Sequence, residues 1–84
     1  MAYFVYILKS LKDGSYYVGS TGDLEDRLTR HNEGKVKYTK AKRPYEMMYF
    51  EQHPNRSQAM KREYAIKRQK RIEFIEGLIR NFDQ

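Results

Sequence analysis

The sequence predicts an α+β fold: a small three-stranded antiparallel sheet flanked by helices. Three observations carry this. Two runs rich in Tyr, Val, Phe and Ile bracket an Asp13-Gly14 turn near the N-terminus, which is a hairpin signal. A third apolar run, YEMMYF at residues 45–50, follows a basic loop. Between and after these runs, apolar residues recur at three- and four-residue intervals, the period of a helix packed on one face. The order ββαβα(α) places helices against an antiparallel sheet.

The first strand, Tyr3–Ser10, carries apolar residues on both parities: Tyr3, Val5 and Ile7 against Phe4, Tyr6 and Leu8. Both faces of the sheet are therefore expected to be covered. The second strand spans Tyr16–Ser20. With the loop centred on Asp13-Gly14, Ser10 opposes Tyr17 and Leu8 opposes Gly19, so Tyr6, Tyr17 and Gly19 share a face. In that register the two phenols stand about 13 Å apart along the strands. Gly19 leaves a notch between them where a backbone or a phosphate could approach. Strand propensity and a bulge glycine account for the same residues without any function.

Asp23 is suited to cap a first helix, with Glu25 and Asp26 in its opening turn complementing the dipole. Leu24, Leu28 and His31 follow at i, i+4 and i+7, and Gly34 is a stop signal. Arg27 and His31 are i, i+4 neighbours, directed toward the rim of the sheet. Two plainer roles compete: Arg27 paired with Asp23 or Glu33, and His31 as a cation at the helix C-terminus. A basic loop runs from Lys35 to Pro44, and the third strand follows it. HPNRSQ then turns into a second helix, capped by Asn55 or Ser57 and running to about Arg68. Ile72, Ile75, Leu78 and Ile79 extend the helical pattern, either as a further amphipathic turn or two or as a separate helix, with no Gly or Pro to mark a break.

On a helical wheel of the second helix, Glu63 falls about 40° from Ala59, inside the apolar arc that also holds Ile66. A carboxylate turned toward a core is costly unless it is paired or binds a cation. A buried pair with a neighbouring Lys or Arg meets that need, and so does a Mg²⁺ ion sharing its other positions with water and phosphate oxygens. Glu63 is the sole acid between Arg56 and Arg71.

The 84 residues predict one domain over positions 1–84. A chain this short buries roughly 60–65% of its unfolded surface, so its eight Tyr and four Phe matter to the core. The absence of cysteine excludes disulfides and thiolate metal sites. The apolar run Tyr3–Leu8 is too short for a signal peptide or a membrane span, and a soluble, cytoplasmic monomer is expected. The net charge is +6, and the excess is clustered. Residues 35–43 hold Lys35, Lys37, Lys40, Lys42 and Arg43 and no acid. Residues 56–71 hold seven positive charges, Lys61 and Lys67 among them, against Glu63 alone. Such patches favour polyanions, chiefly nucleic acid, with no membrane partner implied. GSTGD at residues 19–23 lacks the lysine of a phosphate-binding P-loop.

Taken together, VYI at Val5–Ile7, YVG at Tyr17–Gly19, RLTRHNEGK, YTKAKRPYEMMYFE and AMKREYAIKRQ resemble the GIY-YIG nuclease superfamily, and within it the small stand-alone UPF0213-type bacterial branch. Each motif is short; their order and spacing, from Tyr3 to about Ile79, make the likeness specific. Val5 stands where the family has the glycine of its first motif, and Val18 where it has the isoleucine of its second. The resemblance implies divalent-metal-dependent cleavage of phosphodiester bonds; the leading expectation is Mg²⁺ (or Mn²⁺) as the ion and DNA rather than RNA as the substrate. It assigns Tyr6 and Tyr17 to the motif tyrosines, Arg27 to the arginine that engages the scissile phosphate, His31 to a histidine one turn on, and Glu63 to the metal-binding glutamate. Tyr6 and His31 are both candidates for the general base; the ordinary imidazole pKa of about 6.5 makes His31 the easier one at neutral pH. The rival reading is a non-catalytic module that binds DNA or RNA through the same basic patches.

Overall fold

The computed structural model describes residues 2–82. The chain runs β1 (Tyr3–Ser10), β2 (Tyr16–Thr21), α1 (Leu24–Asn32), a 3₁₀ turn (Lys40–Lys42), β3 (Tyr45–His53), α2 (Arg56–Gln69) and α3 (Ile72–Arg80). The sheet is antiparallel in the order β2-β1-β3, the predicted α+β class. The third strand continues three residues past its expected end. Asn55, rather than Ser57, caps α2, accepting from the Gln58 amide at 2.9 Å. Lys70, at φ +54°, breaks the chain between α2 and α3. A left-handed lysine does there what no glycine was available to do. No helix among the described residues is long and apolar enough to cross a membrane.

The hairpin register differs from the expected one by two residues. Tyr6 opposes Gly19, and Leu8 opposes Tyr17. The loop is not centred on Asp13-Gly14. Ser10 donates its amide to the Ser15 carbonyl at 2.7 Å, Gly14 donates to the Ser10 carbonyl at 2.9 Å, and Gly14 closes the loop at φ +77°. Asp13 therefore sits mid-loop, its carboxylate accepting from the Ser15 amide at 2.9 Å. A shift of two preserves which face each side chain occupies, so Tyr6, Tyr17 and Gly19 do share a face. It brings the phenols together, however, with ring centroids 6.3 Å apart.

Both faces of the sheet are covered. Val5, Ile7 and Val18 pack with Ala59 and Ile66 of α2 and with the apolar side of α3. On the opposite face Tyr6, Leu8 and Tyr45 pack with Leu24 and Leu28 of α1. Each buried aliphatic side chain contributes roughly 1.5–3 kcal/mol. Glu51 ties β3 to α2: it accepts from the Tyr49 hydroxyl and from Arg62 Nε at 2.8 Å, and pairs with His53 Nε2 at 2.7 Å. Burial alone would raise the Glu51 pKa, but these bonds outweigh it and hold the carboxyl below its usual range.

One irregularity shapes the α1 face. The β1–β3 register steps from Ile7↔Tyr49 to Leu8↔Met47, leaving Met48 as a bulge. In a regular strand Tyr45, Met47 and Tyr49 would share a face. The extra residue turns Tyr45 and Met47 to the side of Tyr6, while Tyr49 stays on the side of α2 and α3.

Candidate active site

The α1 face of the sheet converges on His31. Asp23 caps α1, accepting from the Asp26 amide at 3.0 Å. Thr21, leaving β2, accepts from the Asp23 amide at 3.1 Å and turns the chain into the helix. At the far end, the Asn32 side chain accepts from the Tyr45 amide at 2.6 Å and donates to the Tyr45 carbonyl at 3.1 Å. With both ends pinned, His31 is driven into the sheet rather than toward its rim. It is fully buried, beside the rings of Tyr17 at 4.9 Å, Tyr6 at 5.9 Å and Tyr45 at 6.0 Å between centroids.

Both imidazole nitrogens are engaged. Nε2 lies 3.0 Å from the Tyr6 hydroxyl, and Nδ1 lies 2.7 Å from Thr39 Oγ1. Thr39 Oγ1 is also 3.3 Å from the Val36 carbonyl. A carbonyl can only accept, so the Thr39 hydroxyl donates to it and accepts from His31 Nδ1–H. Nε2 is then the bare nitrogen, and the Tyr6 hydroxyl donates to it. The buried chain has one direction: Tyr6 O–H to His31, His31 N–H to Thr39, Thr39 O–H to the backbone.

Burial, and then the Arg27 guanidinium, push the His31 pKa down to about 4. It is a neutral acceptor at pH 7, not the helix-terminal cation that its position in sequence allowed. Tyr6 is shifted the other way. Burial and then Tyr17 raise its phenol well above the ordinary value, Arg27 pulls it back, and Glu63 adds a further upward push. Arg27 and Glu63 thus both act electrostatically on the Tyr6 phenol. Among the described residues Arg27 has no carboxylate partner: Asp26 pairs with Arg30 and Glu33 with Lys35.

Glu63 lies on α2 with 21% of its side chain exposed, paired with Lys67 Nζ at 2.6 Å. Lys67 also stands over the Tyr17 ring, 5.9 Å from its centroid. The pair is an open i, i+4 bridge, not the buried one that the helical wheel allowed. Among the described residues no three His, Asp or Glu side chains gather into a metal cluster. A single carboxylate suits Mg²⁺, which keeps several waters and shares phosphate oxygens, and Glu63 could serve it once Lys67 lets go.

Gly19 is not an open notch. A Cβ there would lie 2.6 Å from the Tyr6 hydroxyl, 2.7 Å from Tyr6 Cζ and 3.0 Å from Tyr17 Cε2. The space belongs to the protein's own phenol. Gly19→Ala should therefore cost about 1–3 kcal/mol as an overpacked core does and detach Tyr6 from His31. Thermal melting and the ring NMR signals of His31 would show both effects, and unchanged signals would refute the steric account.

The basic residues divide into two groups. Lys35, Lys42 and Lys67 bridge to Glu33, Asp13 and Glu63. Lys37, Lys40, Arg43 and Lys61 bridge to no carboxylate among the described residues, although Arg43 donates to the Lys40 carbonyl at 3.0 Å. Sequence reading passed over Thr39 and Asn32. Thr39 is buried inside a basic stretch with no apolar periodicity, and nothing in the sequence set it apart from Val36, Tyr38 and Ala41, the other uncharged residues there.

Burial of a neutral imidazole makes stability depend on pH. Unfolded, His31 titrates near 6.5; folded, it titrates near 4. Between those values only the unfolded chain takes up the proton. The stability contribution is complete above pH 6.5, falls as the pH drops, and is lost by about pH 4, a change on the order of 3 kcal/mol. Melting curves across that window, with the His31 ring followed by NMR, would check it. An imidazole titrating at its ordinary value would contradict it.

Residues 2–74 match the model of the GIY-YIG catalytic domain. The chain belongs to the GIY-YIG family, whose class of chemistry is nuclease cleavage. Within it, it belongs with the UPF0213 proteins. It is 46% identical to a UPF0213 protein of Staphylococcus saprophyticus over 77 residues, covering 87% of this chain and 93% of the relative. It is also 46% identical to one of Staphylococcus epidermidis over 78 residues, covering 88% and 94%. The solution NMR structure of the UPF0213 protein BH0048 from Bacillus halodurans superposes with a TM-score of 0.55 at 36% identity, over 90% of this chain and 81% of that one.

Proposed function

We propose that this protein is a divalent-metal-dependent endonuclease that hydrolyses phosphodiester bonds in DNA. The observation that carries the reading is the packing of Tyr6 and Tyr17 on His31 at the head of a hydrogen-bond chain with one direction, with the charges of Arg27 and Glu63 acting on the Tyr6 phenol. Arg27, which has no carboxylate partner among the described residues, offsets charge that builds on the phosphoryl oxygens. Tyr17, half-buried at the surface of the site, orients the phosphate or the attacking water. Glu63 would hold Mg²⁺ or Mn²⁺, which when bound neutralises phosphate charge and stabilises the leaving oxygen.

Tyr6 and His31 act in series rather than as alternatives. His31 is enclosed and meets no water. The Tyr6 hydroxyl takes the proton of the attacking water as it passes its own to His31 Nε2. Tyr6 is itself only 1% exposed, so substrate must first move the Lys67 side chain off Glu63 and Tyr17. The anionic phosphate would offset Arg27, one of the two influences that hold the imidazole pKa down. One chain supplies every group, so a monomer suffices.

The test is incubation of purified protein with linear duplex, single-stranded and branched DNA and RNA, with Mg²⁺ and with EDTA. Cleavage of DNA that requires the metal is expected. Binding should weaken steeply with salt, because contacts from the basic loop and α2 release counterions. Salt-sensitive binding without cleavage of any substrate would make the protein a nucleic-acid-binding module. Salt-insensitive binding would remove nucleic acid altogether.

A further inference from the structure

An open cavity of about 380 Å³ lies between the edge strand β2, the end of α2 and the start of α3. It exists because Lys70 adopts φ +54° and swings α3 away from the line of α2. Its floor is apolar, formed by Val18, Ile66 and Ile75. Tyr16 and the β2 edge at Tyr17 line one side and Ile72 another. Lys70 and Arg71 stand on the rim and form no salt bridge among the described residues. Ile72 is 53% exposed between these cations and the cavity.

An apolar slot with aromatic and branched walls fits the faces of a flat ring. A cationic rim fits the phosphates on either side of such a ring. The cavity adjoins the candidate active site, because Tyr17 and Lys67 belong to both. A second concavity, bounded by Tyr64 and Arg68, shares Lys67 and Lys70 with the first. Tyr64 there is 65% exposed, with the Arg68 guanidinium 5.7 Å from its ring centroid. Aromatic faces alternating with cations along one track are the elements of a single-strand platform. A paired base offers only its edges in the grooves, and its faces are free only when it is unstacked.

We propose that the β2–α2–α3 cavity receives an unpaired nucleobase adjoining the phosphate engaged at the active site, so that the substrate is single-stranded at the point of cleavage. The proposal rests on the nuclease reading for its placement beside a scissile phosphate, and its test is a binding measurement that needs no turnover. The probe is a short oligonucleotide carrying 2-aminopurine, used single-stranded and as a blunt duplex, with EDTA present. The single strand should bind more tightly than the duplex, and its fluorescence should change on binding while that of the duplex does not.

Ile72→Ser removes the exposed wall and should leave the fold intact, as melting would verify. It should weaken single-strand binding by roughly 5- to 100-fold, the range of one lost stacking contact, and leave duplex binding as it was. Single-strand binding by Ile72→Ser equal to that of the parent protein would overturn the proposal, as would equal affinity for both forms. If instead these binding results hold and no substrate is cleaved with Mg²⁺, the cavity assignment stands and the nuclease reading fails.

Discussion

Tyr6→Phe should lower turnover by about 10²–10⁴-fold, the range of a lost general base, and leave a folded protein that still binds nucleic acid. The phenol has 1% of its surface exposed, so it offers almost no area to a bound strand. Among the described residues its hydroxyl bonds to His31 Nε2 alone, at 3.0 Å. Removing the hydroxyl leaves that nitrogen buried without a donor, at a cost of about 1–3 kcal/mol. A melting curve lowered by that amount, with cleavage lost far beyond the fraction unfolded, is the expected pattern. A variant that cleaves as the parent does would show that the Tyr6–His31 chain takes no part in the reaction.

Thr39 allows the same chain to be disturbed from its other end. Thr39→Val keeps shape but removes the acceptor that fixes the proton on Nδ1. Thr39→Ser keeps that acceptor. The two variants should part in the nitrogen shifts of the His31 ring: the tautomer is preserved in the serine variant and mixed in the valine variant. Turnover should follow the tautomer. A Thr39 that served packing alone would affect stability in both variants and leave the tautomer unmoved.

Parity and local signals account for what the sequence disclosed. Tyr6, Tyr17 and Gly19 were placed on one face correctly even though the hairpin register was two residues off, because side chains alternate with a period of two. The phenols' contact was missed because it depends on the register, which the four residues Leu11–Gly14 fix, and Asp-Gly can sit in more than one kind of loop. The two helix caps, Asp23 and Asn55, act through bonds three residues along and were legible for that reason.

The Met48 bulge was not legible. In YEMMYF alternation alone puts Tyr45 with Tyr49, whereas the bulge puts Tyr45 beneath His31. Nor was the depth of His31, which follows from Asn32 clasping the backbone of Tyr45 thirteen residues away. Long-range polar contacts of this kind leave no periodic trace.

Glu63→Gln should abolish metal-dependent cleavage and scarcely change stability. Had the pair been buried, losing one partner would have cost about 3–5 kcal/mol. The bridge to Lys67 is instead an i, i+4 pair with side chains 21% and 49% exposed, and such pairs contribute about 0.3–0.5 kcal/mol. The melting temperature should move by no more than a few degrees. The substitution also makes the net charge of +6 one unit more positive, so strand binding in EDTA should persist or tighten. The Glu63 charge raises the Tyr6 pKa, so its removal makes the phenol easier to deprotonate. The cation is tested directly: a Mg²⁺ titration followed by NMR should lose its response in the variant. Cleavage at the parental rate would remove Glu63 from the metal site. A melting temperature lowered as if by several kcal/mol would make the residue a structural one.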